Sequence, residues 1–249
     1  MTRGSTSFDR WLRAAPLGRL HSWLTSVPGA MAYNTPAFNL HEELRLHAEN
    51  RVLDIGAGRG ALLQLLSSRV TFEQPPVAVD LSREALQSTD SKPAFERLQA
   101  TPTSLPLASE SFDVVTCGYV TQQLEDDELL AFLREVRRVL TLGGIALVWD
   151  FAPTRSRPLN QWHDRVLSAL GKEPAIARTY TTLSAYALEA GFEWVSNAHL
   201  RPFLFPPIPR VSLIIGKAPL GWEPSEAVRD LTPDTQARSL VADVTRETL

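Results

Sequence analysis

Apolar and polar residues alternate through the middle of the chain in short blocks of two different periods. Arg51-Val-Leu-Asp-Ile55 is an apolar run that ends in Gly-Ala-Gly-Arg-Gly60, which predicts a strand entering a tight turn. Residues 61–67 predict a helix. Pro76-Val-Ala-Val-Asp80 reads as the next strand, and Ser82 can cap the helix behind it, because its hydroxyl accepts from an otherwise unpaired helical N–H. Residues 112–117 predict a third strand. Over 126–140, Leu129, Leu130, Leu133, Val136, Val139 and Leu140 fall on one helical face. That helix opens on Asp126, Asp127 and Glu128 and closes on Arg134, Arg137 and Arg138, the order that complements the helix dipole. Gly143-Gly144 predicts its stop and turn, and 145–149 a further strand.

Strands alternating with helices predict an α/β fold, a doubly wound and mostly parallel Rossmann-like sheet with helices on both faces. Ligands of such sheets lie beyond the carboxyl ends of the strands. Residues 56–60, Asp80, residues 117–119 and Asp150 are therefore expected to converge. The flanks have another character. Leu17, Leu20 and Leu24 recur at helical spacing behind Pro16, and 40–48 predicts a second short helix. Phe8, Trp11 and Trp23 read as packing on the sheet domain, with an apolar lid or a membrane-facing patch as the alternatives. After the 145–149 strand, one helix is expected around 162–170. Thr181 or Thr182 can cap another through Ala190, closed by Gly191. Residues 192–200 and 211–217 predict two strands joined by a proline-rich loop. The resulting division is an N-terminal helical extension or lid at 1–50, a domain at 51–217 with a cap insertion at about 151–180, and a polar tail at 218–249.

Composition narrows the class. The chain has 249 residues, a net charge of −3, 44% hydrophobic and 21% charged residues, the balance of a globular domain that needs no disulfide or metal to hold a core. Its one cysteine, Cys117, cannot form an internal disulfide, so a reducing cytoplasm is the expected location. No apolar run reaches the length of a membrane span, and the opening MTRGSTSFDRW has no apolar h-region, so no secretory signal is expected. The slight acidity argues against a nucleic-acid partner, as does the lack of an Asn-Pro-Pro-Tyr-type segment. The five histidines show no ligand spacing, and His41 and His47 would not share a helix face, so no metal site is expected. The sequence favours no oligomeric state.

The richest chemistry lies in Asp54-Ile-Gly56-Ala57-Gly58-Arg-Gly60. Glycines let the backbone turn and approach a ligand, and the following helix presents unpaired N–H groups. Gly56-x-Gly58-x-x-Ala61 fits the looser dinucleotide fingerprint, with Asp80 as the acid that follows it. Asp80 can accept both hydroxyls of an adenosine ribose. NAD and S-adenosylmethionine share that ribose, so both stay open on this residue. Asp54 discriminates, since a carboxylate before the loop suits an ammonium and a sulfonium better than a pyrophosphate.

Four segments resemble class I S-adenosylmethionine-dependent methyltransferases, in the right order and spacing. Val52-Leu-Asp-Ile-Gly-Ala-Gly-Arg-Gly60 and Val77-Ala-Val-Asp80-Leu-Ser resemble their first two motifs. Leu105-Pro-Leu-Ala-Ser-Glu-Ser-Phe-Asp113-Val-Val and Glu135-Val-Arg-Arg-Val-Leu-Thr-Leu-Gly-Gly144 resemble segments of the subgroup that includes quinone and small-molecule methyltransferases. The resemblance implies a seven-stranded sheet whose last strand is antiparallel. It sets Gly56 and Gly58 against the methionine part of the cofactor, Asp80 on the ribose, and Leu81 beside the adenine. The implied cofactor-binding set is Asp54, Gly56, Ala57, Gly58, Gly60, Asp80, Leu81, Thr103, Ser104 and Cys117. Tyr33 either closes over the cofactor or packs. Two positions depart from the family. Thr101 stands where an acid often meets the adenine amino group, and Gln122-Gln123 where relatives often carry histidine.

The expected activity is methyl transfer from S-adenosylmethionine to a small organic acceptor at O, N or C. The alternatives are a non-catalytic binding module of the same fold and an NAD(P)-dependent reductase. Methyl transfer from a sulfonium is an in-line displacement of an activated leaving group, so positioning and desolvation supply much of the rate, and a base is needed only where the nucleophile must lose a proton. Candidate catalytic residues are therefore few. His163 reads first as a surface helix histidine and second as an acceptor-side group. Asp150 is either functional or a loop cap. Tyr119 is either a site wall or packing, and Cys117 is most simply a small strand-end residue. Acceptor specificity is expected in 1–50 and 151–178, and the near-neutral charge points to a small, partly apolar acceptor.

Overall fold

The computed structural model describes residues 44–87, 94–169, 176–197 and 210–218. The helix expected around Leu17 to Leu24, Tyr33, the aromatic residues Phe8, Trp11 and Trp23, the proline-rich loop and the polar tail lie outside the described residues.

The chain runs β1 (Val52–Ile55), α1 (Ala61–Ser67), β2 (Val77–Asp80), α2 (Arg83–Gln87), β3 (Glu96–Gln99) and β4 (Phe112–Gly118). After a 3-10 turn (Thr121–Gln123) follow α3 (Asp126–Val139), β5 (Leu140–Phe151), α4 (Arg157–Ala169), α5 (Tyr180–Glu189), β6 (Trp194–Asn197) and β7 (Arg210–Gly216). Successive side chains of a strand point to opposite faces, and here both faces are apolar. Val52, Ala78, Val114 and Leu147 join one core, which Leu63 and Leu66 of α1 and Leu86 of α2 complete. Leu53, Ile55, Val79, Val115 and Val148 join the other, with Leu129, Phe132 and Val136 of α3 and Leu183 and Ala187 of α5.

The seven strands form one sheet in the order β3-β2-β1-β4-β5-β7-β6. Strands β1 to β5 pair in parallel, and β7 runs antiparallel to both of its neighbours, β5 and β6. The chain winds outward from β1 in one direction through β2 and β3 and in the other through β4 and β5. The two directions part between β1 and β4, the switch point beyond whose strand ends sheets of this kind bind their ligands. The Rossmann-like sheet and its antiparallel last strand are as expected. No helix among the described residues is long and apolar enough to cross a membrane.

Local expectations fare unevenly. Ser82 caps α2 as read, its Oγ accepting from Ala85 N at 3.0 Å. Glu125 and Glu128 form a capping box at the start of α3, which ends on Arg137 and Arg138. Strand β3 went unread, so 112–118 is the fourth strand and not the third. Its sequence, Glu-Arg-Leu-Gln, is polar because it is an edge strand paired only to β2 and open to solvent. Gly143-Gly144 is not the stop of α3. Leu140 is already extended, and β5 pairs Phe112↔Leu140 and then Val114↔Ile145, so 141–144 bulge out with Gly143 at φ 80°. The described part of the 40–48 helix is turn. Arg45 is left-handed at φ 48°, and Leu44 and Leu46 are both buried two residues apart, a spacing no helix face provides. Thr179 caps α5, accepting from Thr182 N at 3.2 Å, so Thr181 and Thr182 lie inside the helix. The helix expected around 162–170 begins earlier, at Arg157.

Candidate functional site

The loop after β1 folds back on the end of β2. Gly56 N and Ala57 N donate to Val79 O at 2.8 and 3.0 Å, and Gly58 N donates to Asp80 Oδ2 at 2.8 Å. Ser82 N donates to Asp80 Oδ1 at 2.8 Å, so backbone N–H groups fix the carboxylate on both oxygens. Gly56, Gly58 and Gly60 all have positive φ, but their surroundings differ. A Cβ on Gly56 would lie 2.2 Å from Val120 Cγ2, and one on Gly60 would lie 2.0 Å from the Phe95 ring. Among the described residues, a Cβ on Gly58 would meet nothing within 4 Å. Gly56 and Gly60 therefore permit close packing, while Gly58 with its Asp80 contact borders open space.

Asp54, Thr116 and Asp80 alternate with residues of the α3 and α5 core and so share the opposite face of the sheet. Asp54 lies directly across from Thr116 and is buried, its Oδ1 accepting from Thr116 Oγ1 at 2.8 Å. Burial pushes the Asp54 carboxyl up to about 7; the Thr116 bond opposes the shift and the charge of Asp80 adds to it. Thr116 was not read from the sequence, and the signal was its register opposite Asp54.

Beside Asp80, the residues just before a tight turn at 101–104 bond to the backbone of 80 and 81. Ala100 N donates to Asp80 O at 3.1 Å, and Gln99 Nε2 to Leu81 O at 3.1 Å. The hydroxyls of Thr101 and Thr103 pair at 3.0 Å, and Ser104 N donates to Thr101 O at 3.3 Å, its side chain exposed. Helix α3 holds the following loop. Glu135 Oε2 accepts from Leu105 N at 2.9 Å, and Arg138 donates to Leu105 O and Leu107 O at 3.0 and 2.8 Å. These two residues also pair with each other at 2.8 Å. The Glu-x-x-Arg pattern, read only as a family trait, thus anchors the loop that follows the 101–104 turn.

At the ends of β4 and β5 the sequence candidates separate. Cys117 is enclosed in the α3 and α5 core, and burial, with the charges of Asp54 and Asp150, pushes its thiol well up. Its side chain does not line the candidate site, because its position on β4 has the opposite parity to Thr116. Tyr119 is left-handed at φ 60°, an uncommon conformation for a bulky residue. Its N donates to Trp149 O at 2.8 Å, and its ring packs on Phe151 (centroids 4.6 Å apart) and edge-on to Trp149 (6.4 Å). Asp150 is a loop cap. Its Oδ2 accepts from Thr121 Oγ1 and Gln122 N at 2.6 and 2.8 Å, and its Oδ1 from Phe151 N at 2.8 Å. Arg178, missed in the sequence, is buried beneath the same segment and donates to Thr121 O, Leu124 O and Asp126 Oδ1 at 2.7, 2.7 and 2.8 Å. Gln122 is buried, and its Nε2 donates to Tyr119 O at 3.2 Å. His163 corrects the surface reading: it is buried, and Trp162 beside it is 39% exposed. Neighbours on a helix differ by about 100° in direction, so turning one inward turns the other out.

Near Tyr119, the residues after β5, the start of α5, the end of β6 and the start of β7 line an open cavity of about 380 Å³. Arg210 lies in its wall and in electrostatic contact with Tyr119.

The strand order, the glycine loop and the acid that closes it define a doubly wound α/β protein with a candidate ligand site at the switch between β1 and β4. Residues 53–148 match the family model described as Methyltransferase domain. The chain is 31% identical over 166 residues to 2-phytyl-1,4-naphtoquinone methyltransferase of Thermosynechococcus vestitus, covering 58% of this chain and 73% of that protein. It is 32% identical over 134 residues to the ubiquinone/menaquinone biosynthesis C-methyltransferase UbiE of Xanthomonas oryzae pv. oryzae, covering 49% of this chain and 52% of that one. Its fold is similar to the crystal structure of human N-acetylserotonin methyltransferase in complex with S-adenosylmethionine (TM-score 0.59, 17% identity, 87% of this chain and 57% of that one). The chain belongs to the methyltransferase-domain family. It spans about half the length of the UbiE proteins it matches.

Proposed function

We propose that the protein transfers a methyl group from S-adenosylmethionine to a small, partly apolar organic acceptor. One observation carries this reading: Gly58 N–H and the Asp80 carboxylate meet at the β1/β4 switch point, with open space over Gly58. Asp80 would hold the ribose hydroxyls, since a carboxylate offers about four acceptor positions and the backbone fixes both oxygens here. Gly56, Ala57 and Gly58 would border the methionine end. Buried Asp54, whose carboxyl is pushed up to about 7, would be drawn toward its charged form by a nearby ammonium or sulfonium and is a poor neighbour for a pyrophosphate. Leu81, Thr103 and Ser104 would flank the adenine, through the backbone and hydroxyls of the 101–104 turn rather than an acid.

Bound there, S-adenosylmethionine supplies a methyl group on an activated sulfur. The protein's own part is placement and exclusion of water. Tyr119, Trp149 and Phe151 form an aromatic wall at the strand ends, and Asp150 and Arg178 lock the segment that carries it. Both Asp150 oxygens are engaged, Oδ2 by that segment and Oδ1 by Phe151 N, which leaves a positioning role and argues against use as a base. The relatives named for quinone and naphthoquinone methylation favour a ring-bearing acceptor. The single cysteine suits a reducing compartment, and the activity belongs in the cytoplasm on this reading.

Calorimetric titration with S-adenosylhomocysteine, followed by a methyl-label transfer screen over small acceptors, tests it. Saturable binding and label transfer to any acceptor are expected. If neither S-adenosylmethionine nor its demethylated product binds, the proposal fails. Binding without transfer to any acceptor would leave a binding module, and stabilisation by NAD(P)H alone would indicate a reductase.

A further inference from the structure

The cavity beside Tyr119 is not part of the glycine-loop site, but one short segment of chain, 118–120, touches both Gly56 and a residue of the cavity wall. Gly118 and Val120 lie against Gly56. Tyr119, between them, packs on Phe151 and reaches Arg210. Arg210, Thr179, Asn197 and Ser212 line the cavity, with Ala152 and Val211 giving it an apolar wall. Its volume, about 380 Å³, suits one or two fused rings rather than a macromolecular segment.

The cavity's polarity has one sign. Among the described residues of its wall, Arg210 is the one charged side chain, and it is half-buried. Tyr180, the first residue of the ten-residue helix α5, lines the cavity just after its cap Thr179, so a helix N-terminus adds a second positive feature. The hydroxyl of Tyr119 stays neutral, because burial pushes its ionisation up. A guanidinium is a fork donor matched to paired oxygens, and its bonds to an anion strengthen as water is excluded.

We propose that this cavity receives the methyl acceptor by an anionic oxygen, a carboxylate or an ionised phenol or enol, held by Arg210 while its ring lies along Ala152 and Val211. The acceptor class is then a small organic anion with an apolar body. This rests on the methyl-transfer reading of the neighbouring glycine-loop site. An ionised phenol or enol held this way has raised electron density at its oxygen and at the adjacent ring carbon, so both O- and C-methylation remain chemically open.

Ligand-observed NMR on the full chain tests it with matched ring compounds. Naphthoate is compared with naphthamide, and para-nitrophenol, at a pH where it is ionised, with para-nitroanisole. Each pair is titrated into wild type, Arg210→Gln and Arg210→Lys, with circular dichroism and melting confirming that the variants fold. At least one anion is expected to bind wild type roughly tenfold or more tightly than its neutral partner, the usual worth of a charge-assisted contact. Arg210→Gln should abolish that preference and Arg210→Lys should keep part of it. A preference in the first pair assigns a carboxylate, and in the second a phenolate. Equal binding within both pairs, or a preference that survives Arg210→Gln, overturns the proposal. The same titrations need no cofactor, so S-adenosylhomocysteine binding to wild type separates failure of this inference from failure of the methyl-transfer reading.

Discussion

Burial of Asp54 opposite Thr116 makes its ionisation costly to the native state. The carboxyl titrates near 3.8 when unfolded and at about 7 in the fold. Between those values the native state holds the proton more tightly, so stability falls as pH rises through this window and levels off above it. Asp54→Asn keeps an acceptor for Thr116 and removes the charge. Chemical melts of both proteins at about pH 5 and pH 8 should show a steeper loss for the wild type, by up to about 2–3 kcal/mol. Parallel behaviour would remove the assignment. The glycines make a second residue-scale test. Gly60→Ala must push the Phe95 ring aside as well as hold a left-handed backbone, so it should cost roughly 2–4 kcal/mol. Gly58→Ala meets open space and should cost only about 1 kcal/mol, while blocking close approach of a ligand. It should therefore lose S-adenosylhomocysteine affinity out of proportion to its melting change, as calorimetry on the two variants would show. Equal losses of stability would mean that both glycines serve packing alone. In the sequence these three glycines were one motif; only the placement of Phe95 and Val120, residues distant along the chain, divides their roles.

Elements with a strong period were legible, and those held by distant partners were not. The apolar stripe of α3 and the runs that became β1, β2 and β4 could be read because each carries its own signal along the chain. Strand β3 carries none, since an edge strand needs no apolar face. The candidate site divides the same way. The loop, Asp80 and Asp54 stood out through spacing and charge. Arg178 did not, because its partner Thr121 is 57 positions away and an arginine in a polar stretch has no local mark. Yet it decides how the segment after β4 is held. Three short bonds from one buried guanidinium fix 121–126, and the same ion lowers the carboxyl of Asp126 through its hydrogen bond. Arg178→Met removes the donors and leaves two carbonyls without them, which should cost about 2–4 kcal/mol. Hydrogen exchange should speed up selectively over 119–125 in that variant. A uniform change across the sheet, or none, would mean that Asp150 alone holds the segment.

Across the whole molecule, the two edges of the sheet do different work. At the carboxyl edge, polar groups are fixed around open space: Asp80 by two N–H groups, and Tyr119 by its backbone bond to Trp149. At the amino edge they close on one another. Lys217, buried at the end of β7, donates to Glu110 Oε1 at 2.8 Å and to Leu140 O at 3.0 Å, tying the last strand to the start of β5. Ligand binding and fold stability should therefore separate in a melting experiment. S-adenosylhomocysteine at one hundred times its dissociation constant adds about 2.7 kcal/mol by mass action, roughly 5–10 °C for a chain of this size. Lys217→Met should lower the melting point of the free protein by a few degrees, since Glu110 is half-exposed and rehydrates when its partner is lost, and should leave the ligand-induced rise in place. Asp80→Asn keeps an oxygen for one N–H but would give the ribose hydroxyls proposed to bind there a weaker, uncharged acceptor, so it should remove most of that rise with a smaller effect on the free protein. If Lys217→Met abolished the rise, or Asp80→Asn preserved it in full, the division between a binding edge and a fastening edge would be wrong.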